Sequence, residues 1–241
     1  MEIFESIFNK STIHNTFFFN IKSVLRYPNL DTLKTNQILY DIWLDDFSSS
    51  GLDYNQEMVK IPDFLKIVGI SYGYLNFDSE DGNIKRELKQ IVFNDERLII
   101  DNFFDVLSNL PTETILCGYD ITSHDIPILI KRFLSNRKEI VRNSELPQKI
   151  KEILNLKPWD GKIIDINDVL RFKSRGCRSI NILLDIMGLN INGGVMSDSV
   201  FTNYYWNNIN NDTKNVLTTI GHESVKVTNL CMILLKELRS L

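Results

Sequence analysis

A chain of 241 residues and 28.0 kDa, 43% hydrophobic and 24% charged, can bury one sizeable core and is too apolar for wholesale disorder. Its formal net charge of −4 and pI near 5.5 exclude a basic field over the whole surface, so any nucleic acid must be held by a local patch. Cys117, Cys177 and Cys231 are too scattered for a disulfide framework or a zinc knuckle, and no apolar run approaches the roughly 18 residues of a membrane span. With no basic-then-apolar leader, the expected location is cytoplasmic.

Residues 1–36 read as an N-terminal extension, irregular apart from a Phe17-Phe18-Phe19 cluster and a turn signal at Tyr27-Pro28-Asn29. Such a segment packs on the domain as an extra edge element or meets a protein partner. The domain proper is expected over 37–241. It opens with Ile38-Leu39-Tyr40-Asp41-Ile42-Trp43, an apolar run with β-forming residues that reads as a buried strand. Ser48-Ser49-Ser50-Gly51 breaks the chain. Residues 64–74 and 89–93 then have strand character, suggesting an antiparallel meander. From Asn94 to Asn109 the period becomes helical, with Leu98, Ile99, Phe103, Phe104 and Leu107 on one stripe and Asn94 or Asp95 as cap. Thr114 to Cys117 reads as a short buried strand. A helix follows over 126–134, with Pro127 in its first turn where a missing N–H costs nothing. A strand at 162–166 and helices near 179–187 and 213–238 complete the pattern. Strands first, then alternating helix and strand, predict an α/β fold: a mixed sheet flanked by helices, as in ribonuclease H-like domains.

The sharpest local motif is CGYDITSHDIPILIKRF, from Cys117 to Phe133. It resembles the second motif of predicted 3′–5′ exonucleases of the DEDD type, related to the exonuclease domain of family B DNA polymerases. There a strand ends in a turn and F-D-x-P-x-L-x-x-R opens a helix. His124 stands for the aromatic residue; Asp125, Pro127, Leu129 and Arg132 match. The resemblance makes Asp125 a metal-binding carboxylate. It extends over roughly residues 38–238. The strand predicted at Ile38–Trp43 takes the place of the first motif, D-x-E, with Asp41 in the first position and Trp43 in the second. IIDINDVLRF and the stretch after it, then GGVMSDSVFTNYY, resemble family segments that shape the fold. The third motif, Y-x-x-x-D-V, falls on Ile220 to Val225, where Ile220 replaces the tyrosine and Ser224 the aspartate.

In such a family one metal ion activates the attacking water and a second stabilises the leaving oxygen. The resemblance therefore implies a site with two of four carboxylates, Asp41 and Asp125, enough for one weakly held Mg²⁺ or Mn²⁺. Trp43, Ser224 and Ile220 are vestigial positions on the water-activating side. The implied function is a nucleic-acid-binding protein with impaired or lost catalysis, acting on single strands or a 3′ end, in the cytoplasm or within a viral particle or replication assembly. The alternative is an active metal-dependent 3′–5′ exonuclease with a rearranged carboxylate set drawn from Asp45, Asp46 and Glu223. Arg171, Lys173, Arg175 and Arg178, with Phe172 interleaved, form the densest basic cluster and the candidate phosphate contact. His124 and His222 are a candidate pair, and Asp165 and Asp168 a further acidic one. Gly193-Gly194 lacks the context of a phosphate loop.

Overall fold

The computed structural model describes residues 15–48, 51, 53–77, 84–140, 142, 145–155, 162–171, 180–186, 188 and 194–240. Strand β1 (Thr16–Leu25) comes first, followed by three short helices, α1 (Leu30–Leu33), α2 (Gln37–Asp46) and α3 (Tyr54–Met58). Strands β2 (Leu65–Phe77) and β3 (Ile84–Ile91) form the meander, and α4 (Glu96–Ser108) leads to β4 (Ile115–Gly118). One π-type turn (Ile121–Asp125) runs into α5 (Ile126–Asn136), and α6 (Gln148–Leu154) precedes β5 (Ile163–Asp165). Helices α7 (Ile166–Arg171), α8 (Ile180–Ile186), α9 (Asp198–Asn208) and α10 (Thr213–Ser240) follow.

The sheet order is β3-β2-β1-β4-β5. β1 pairs antiparallel with β2, which pairs antiparallel with β3, while β4 runs parallel to both β1 and β5. This is the mixed, helix-flanked sheet of a ribonuclease H-like α/β domain. Among the described residues no helix is long and apolar enough to cross a membrane.

The centre of the sheet corrects the reading of residues 1–36 as an extension. All of β1 is buried, TFFFNIKSVL, because it has a strand on each side and helices on each face. Phe17, Phe19 and Ile21 enter one core with Ile99, Phe103 and Phe104 of α4 and Leu129 of α5. Phe18 and Val24 point the other way, towards α10 and α9. The domain therefore begins no later than Thr16, and Thr16–Leu25 is an interior strand of the sheet, not an added edge element.

The strand expected at Ile38–Trp43 is a helix. Asn36 caps α2, its side chain accepting from the backbone N–H of Leu39 at 3.2 Å. Leu39 is buried. Tyr40 stacks with Trp43 at 6.2 Å, and Trp43 meets Tyr54 edge-on at 6.4 Å. Helical spacing, i to i+4, sets which residues face inward here, and Asp41 points out to solvent.

Candidate functional site

The site is assembled where β4 leaves β1. Their pairing ends at Phe18 and Cys117, and a Cβ on Gly118 would lie 2.7 Å from the carbonyl oxygen of Phe19, so glycine permits the close approach. The chain then turns through Asp120, a non-glycine residue at φ 56°. Asp165 at the end of β5 fixes that turn. Its carboxylate accepts from the backbone N–H groups of Asp120 and Thr122 at 3.0 Å each, from Asn167 N–H at 3.1 Å and from the Thr122 hydroxyl at 2.7 Å. Asp165 is buried, and its carboxylate is occupied in holding this turn.

The π-type turn that follows delivers Asp125 to the middle of β1. Beyond Phe18 that edge of β1 has no strand partner among the described residues, and the backbone N–H of Ile21 donates to Asp125 Oδ2 at 3.1 Å. The Asn20 amide approaches the same oxygen at 3.5 Å, and Asp125 Oδ1 lies 2.8 Å from His124 Nδ1. Burial pushes the Asp125 carboxyl up from its ordinary range, partly offset by His124. Burial alone would pull His124 down, but the bond to Asp125 and the charges of Asp125, Asp198 and Asp120 outweigh it and hold the imidazole above its usual value.

Alternation along β1 sends Asn20 and Lys22 to the face opposite Phe19 and Ile21, towards α9 and α10. Lys22 is 4% exposed, and its ammonium lies 3.1 Å from Asp198 Oδ1 and 4.5 Å above the ring of Phe201, both on α9. Ser71, opposite Asn20 in register, shares that face and donates from its hydroxyl to the carbonyl of Ser224 at 2.7 Å. It also bonds the hydroxyl of Thr228. Position 224 of α10 therefore stands beside position 20 across one strand spacing. Two buried polar atoms here lack a partner among the described residues, Asn20 Oδ1 and His124 Nε2. Leaving such an atom unmatched costs about 1–3 kcal/mol.

The expected first motif is therefore misplaced. Asp41 lies on the exposed side of α2, bonded to the Gln37 amide at 2.6 Å, and Trp43 packs on Tyr40 and Tyr54. Neither reaches Asp125. The first strand of the sheet carries its own polar-x-polar step at Asn20-Ile21-Lys22, which the sequence reading passed over. A polar-x-polar step inside an otherwise apolar strand was the available signal, but a search for carboxylates passes over an amide and an ammonium. Ser224 and Ile220 are both buried, Ser224 on the face of Asn20 and Ile220 in the apolar cluster with Val24 and Phe201.

The candidate replacements do not fill the gap. Asp45 and Asp46 are exposed on α2. Glu223 is buried but engaged, accepting from the backbone N–H of Met196 at 2.9 Å and from Lys226 at 2.6 Å. His124 takes Asp125 as its partner, and His222 is exposed. Asp168 is exposed in the first turn of α7. Arg171 ends α7; Lys173, Arg175 and Arg178, with Phe172 and Gly193, lie outside the described residues.

As ligands for the Mg²⁺ or Mn²⁺ that the resemblance implies, these positions do not fit. The one carboxylate among the four, Asp125, has both oxygens engaged, and the second position carries a cation. Among the described residues no group of three or more His, Cys, Asp or Glu side chains could hold a metal ion. Neither the protein-family models nor the curated proteins contain a match to this chain.

Proposed function

We propose that this protein is a nucleic-acid-binding member of the 3′–5′ exonuclease type, with catalysis impaired or lost. One observation carries the reading: the buried carboxylate Asp125 has an amide, Asn20, as its neighbour on β1, and the next residue on that strand face is a lysine, Lys22, paired with Asp198, so carboxylates are missing where hydrolysis would require them. Two-ion phosphodiester hydrolysis needs acidic ligands to make a hydroxide near neutral pH. Without them the loss in rate is of many orders of magnitude, because each about 1.4 kcal/mol of lost transition-state stabilisation is tenfold. What remains is a cluster of buried hydrogen-bonding groups and one buried lysine, which on this reading holds a strand or its 3′ end. The setting that fits is an intracellular one, supported by the two buried free thiols of Cys117 and Cys231.

The test measures binding and cutting together. A 5′-labelled single strand is incubated with the protein in Mg²⁺ and then in Mn²⁺, with DNA and RNA versions run in parallel. The expected result is a bound complex and an unshortened strand. Metal-dependent release of nucleotides from the 3′ end would instead establish an active exonuclease, and absence of any complex would remove the binding reading.

A further inference from the structure

Lys22 is a buried lysine beside Asn20 on the same strand face, and its surroundings hold it there. Its stem lies within the sheet core and its side chain is only 5% exposed. The ammonium has three donors. One points at Asp198 at 3.1 Å, and the charge also rests 4.5 Å from the Phe201 ring centre. A buried charge of this sort is held by its partners. Asp198 itself is 57% exposed and stands in the first turn of α9, so it is the member of the pair that meets solvent. Around the same spot lie two buried atoms with no partner among the described residues, Asn20 Oδ1 on the neighbouring position of the same strand face and His124 Nε2. Both point to a ligand that brings its own hydrogen-bonding groups.

We propose that Lys22 replaces the divalent ion: its ammonium is a tethered cation that takes a phosphate oxygen of a nucleic-acid strand, in exchange for Asp198, with no metal required. His124 Nε2 borders the same phosphate, and Asn20 Oδ1 accepts from a hydroxyl of the adjoining sugar. The arrangement rests on the reading of the cleft as a nucleic-acid site. It explains why the position that should bind a cation carries one permanently, and why an exposed acid, not a carboxylate from the strand, neutralises it.

The experiment measures affinity of the full chain for a 5′-fluorescein single strand by anisotropy, with Mg²⁺ or with EDTA. Inorganic phosphate serves as competitor, to separate a strand site from a site for free phosphate. Affinity of the native protein should agree within about twofold in Mg²⁺ and EDTA. A charge-assisted hydrogen bond is lost in Lys22→Met, which should bind about ten- to a hundredfold more weakly. Asp198→Asn removes the competing carboxylate at an exposed position and should bind several-fold more tightly. These opposite signs cannot both come from general damage to the fold, and the Asp198 arm stands if Lys22→Met fails to fold. Binding that collapses in EDTA, or an Asp198→Asn variant that binds no better than the native chain, overturns the tethered cation while leaving nucleic-acid binding intact. Competition by millimolar phosphate with no strand preference would assign the site to free phosphate and overturn the strand ligand. Absence of strand binding under every condition would overturn both this inference and the function on which it rests.

Discussion

Lys66 shows how a single side chain in this fold sets a pH dependence. At the start of β2 its ammonium lies 4.6 Å from the ring of Tyr205 and 4.5 Å from that of Trp206, and it donates to the Tyr205 hydroxyl at 2.9 Å. Burial, with a contribution from Arg132, brings its pKa down to about 8, against the opposing pull of Glu96. The unfolded lysine titrates near 10.4, so between about pH 8 and 10.4 the unfolded chain binds more protons. The lysine's contribution to stability therefore rises with pH across that window. The buried thiols and raised tyrosines act in the opposite direction at the alkaline end, so the informative quantity is a difference. Subtracting the urea-unfolding profile of Lys66→Met from that of the native protein should leave a term that increases from pH 8 to 10; a flat difference would mean that the lysine is not desolvated. The two aspartates once expected to act together separate by the same assay. Asp41→Ala should change stability by no more than about 0.5 kcal/mol, as for an exposed side chain. Asp125→Ala, which strands the Ile21 N–H and the His124 ring, should cost about 3–5 kcal/mol.

At the scale of elements, what was legible followed from period. Helix α4 and its Asp95 cap, the Pro127 start of α5, and strands β2, β4 and β5 all follow from spacing and cap chemistry in the sequence, whereas β3 spans Ile84–Ile91 and shares only its last three residues with the strand expected at 89–93. Two elements were misread for related reasons. A central strand, buried on both faces, usually reads as an unbroken apolar run, but β1 carries Asn20, Lys22 and Ser23 where the site and the α9 contact require them. Helix α2 contains QILYDIW, whose β-forming residues imitate a strand over one window. The i, i+4 pair Leu39 and Trp43 and the Asn36 cap are the helical signals that decide it. With the first strand at Thr16–Leu25, Asp41 falls on the exposed side of a helix and away from Asp125. The turn and helix start around Asp125 and Pro127 are legible because they carry backbone signals as well as a charge. Phe19→Ala tests the central place of β1: its ring is fully buried and 5.3 Å from that of Phe103, so the substitution should cost about 3–5 kcal/mol. A surface extension would lose far less on the same measurement.

Over the whole molecule, β1 joins the two halves of the sheet and carries both the core and the cleft. On one face Phe17, Phe19 and Ile21 anchor α4 and α5; on the other, Asn20 and Lys22 face α9 and α10, with Asp125 arriving from the turn after β4. On the functional reading, the positions that would need acids are 20, 22, 125 and 224, and only Asp125 is acidic. That assignment, on which the functional reading depends, is tested most directly by counting bound Mn²⁺ ions per folded chain, in the native protein and in Asn20→Asp/Lys22→Glu/Ser224→Asp, with circular dichroism confirming the fold of both. The native chain should hold no stoichiometric Mn²⁺, and the triple variant should gain saturable binding that Asp125→Asn abolishes. Stoichiometric Mn²⁺ on the native chain, or a folded triple variant that binds no better, would contradict the account.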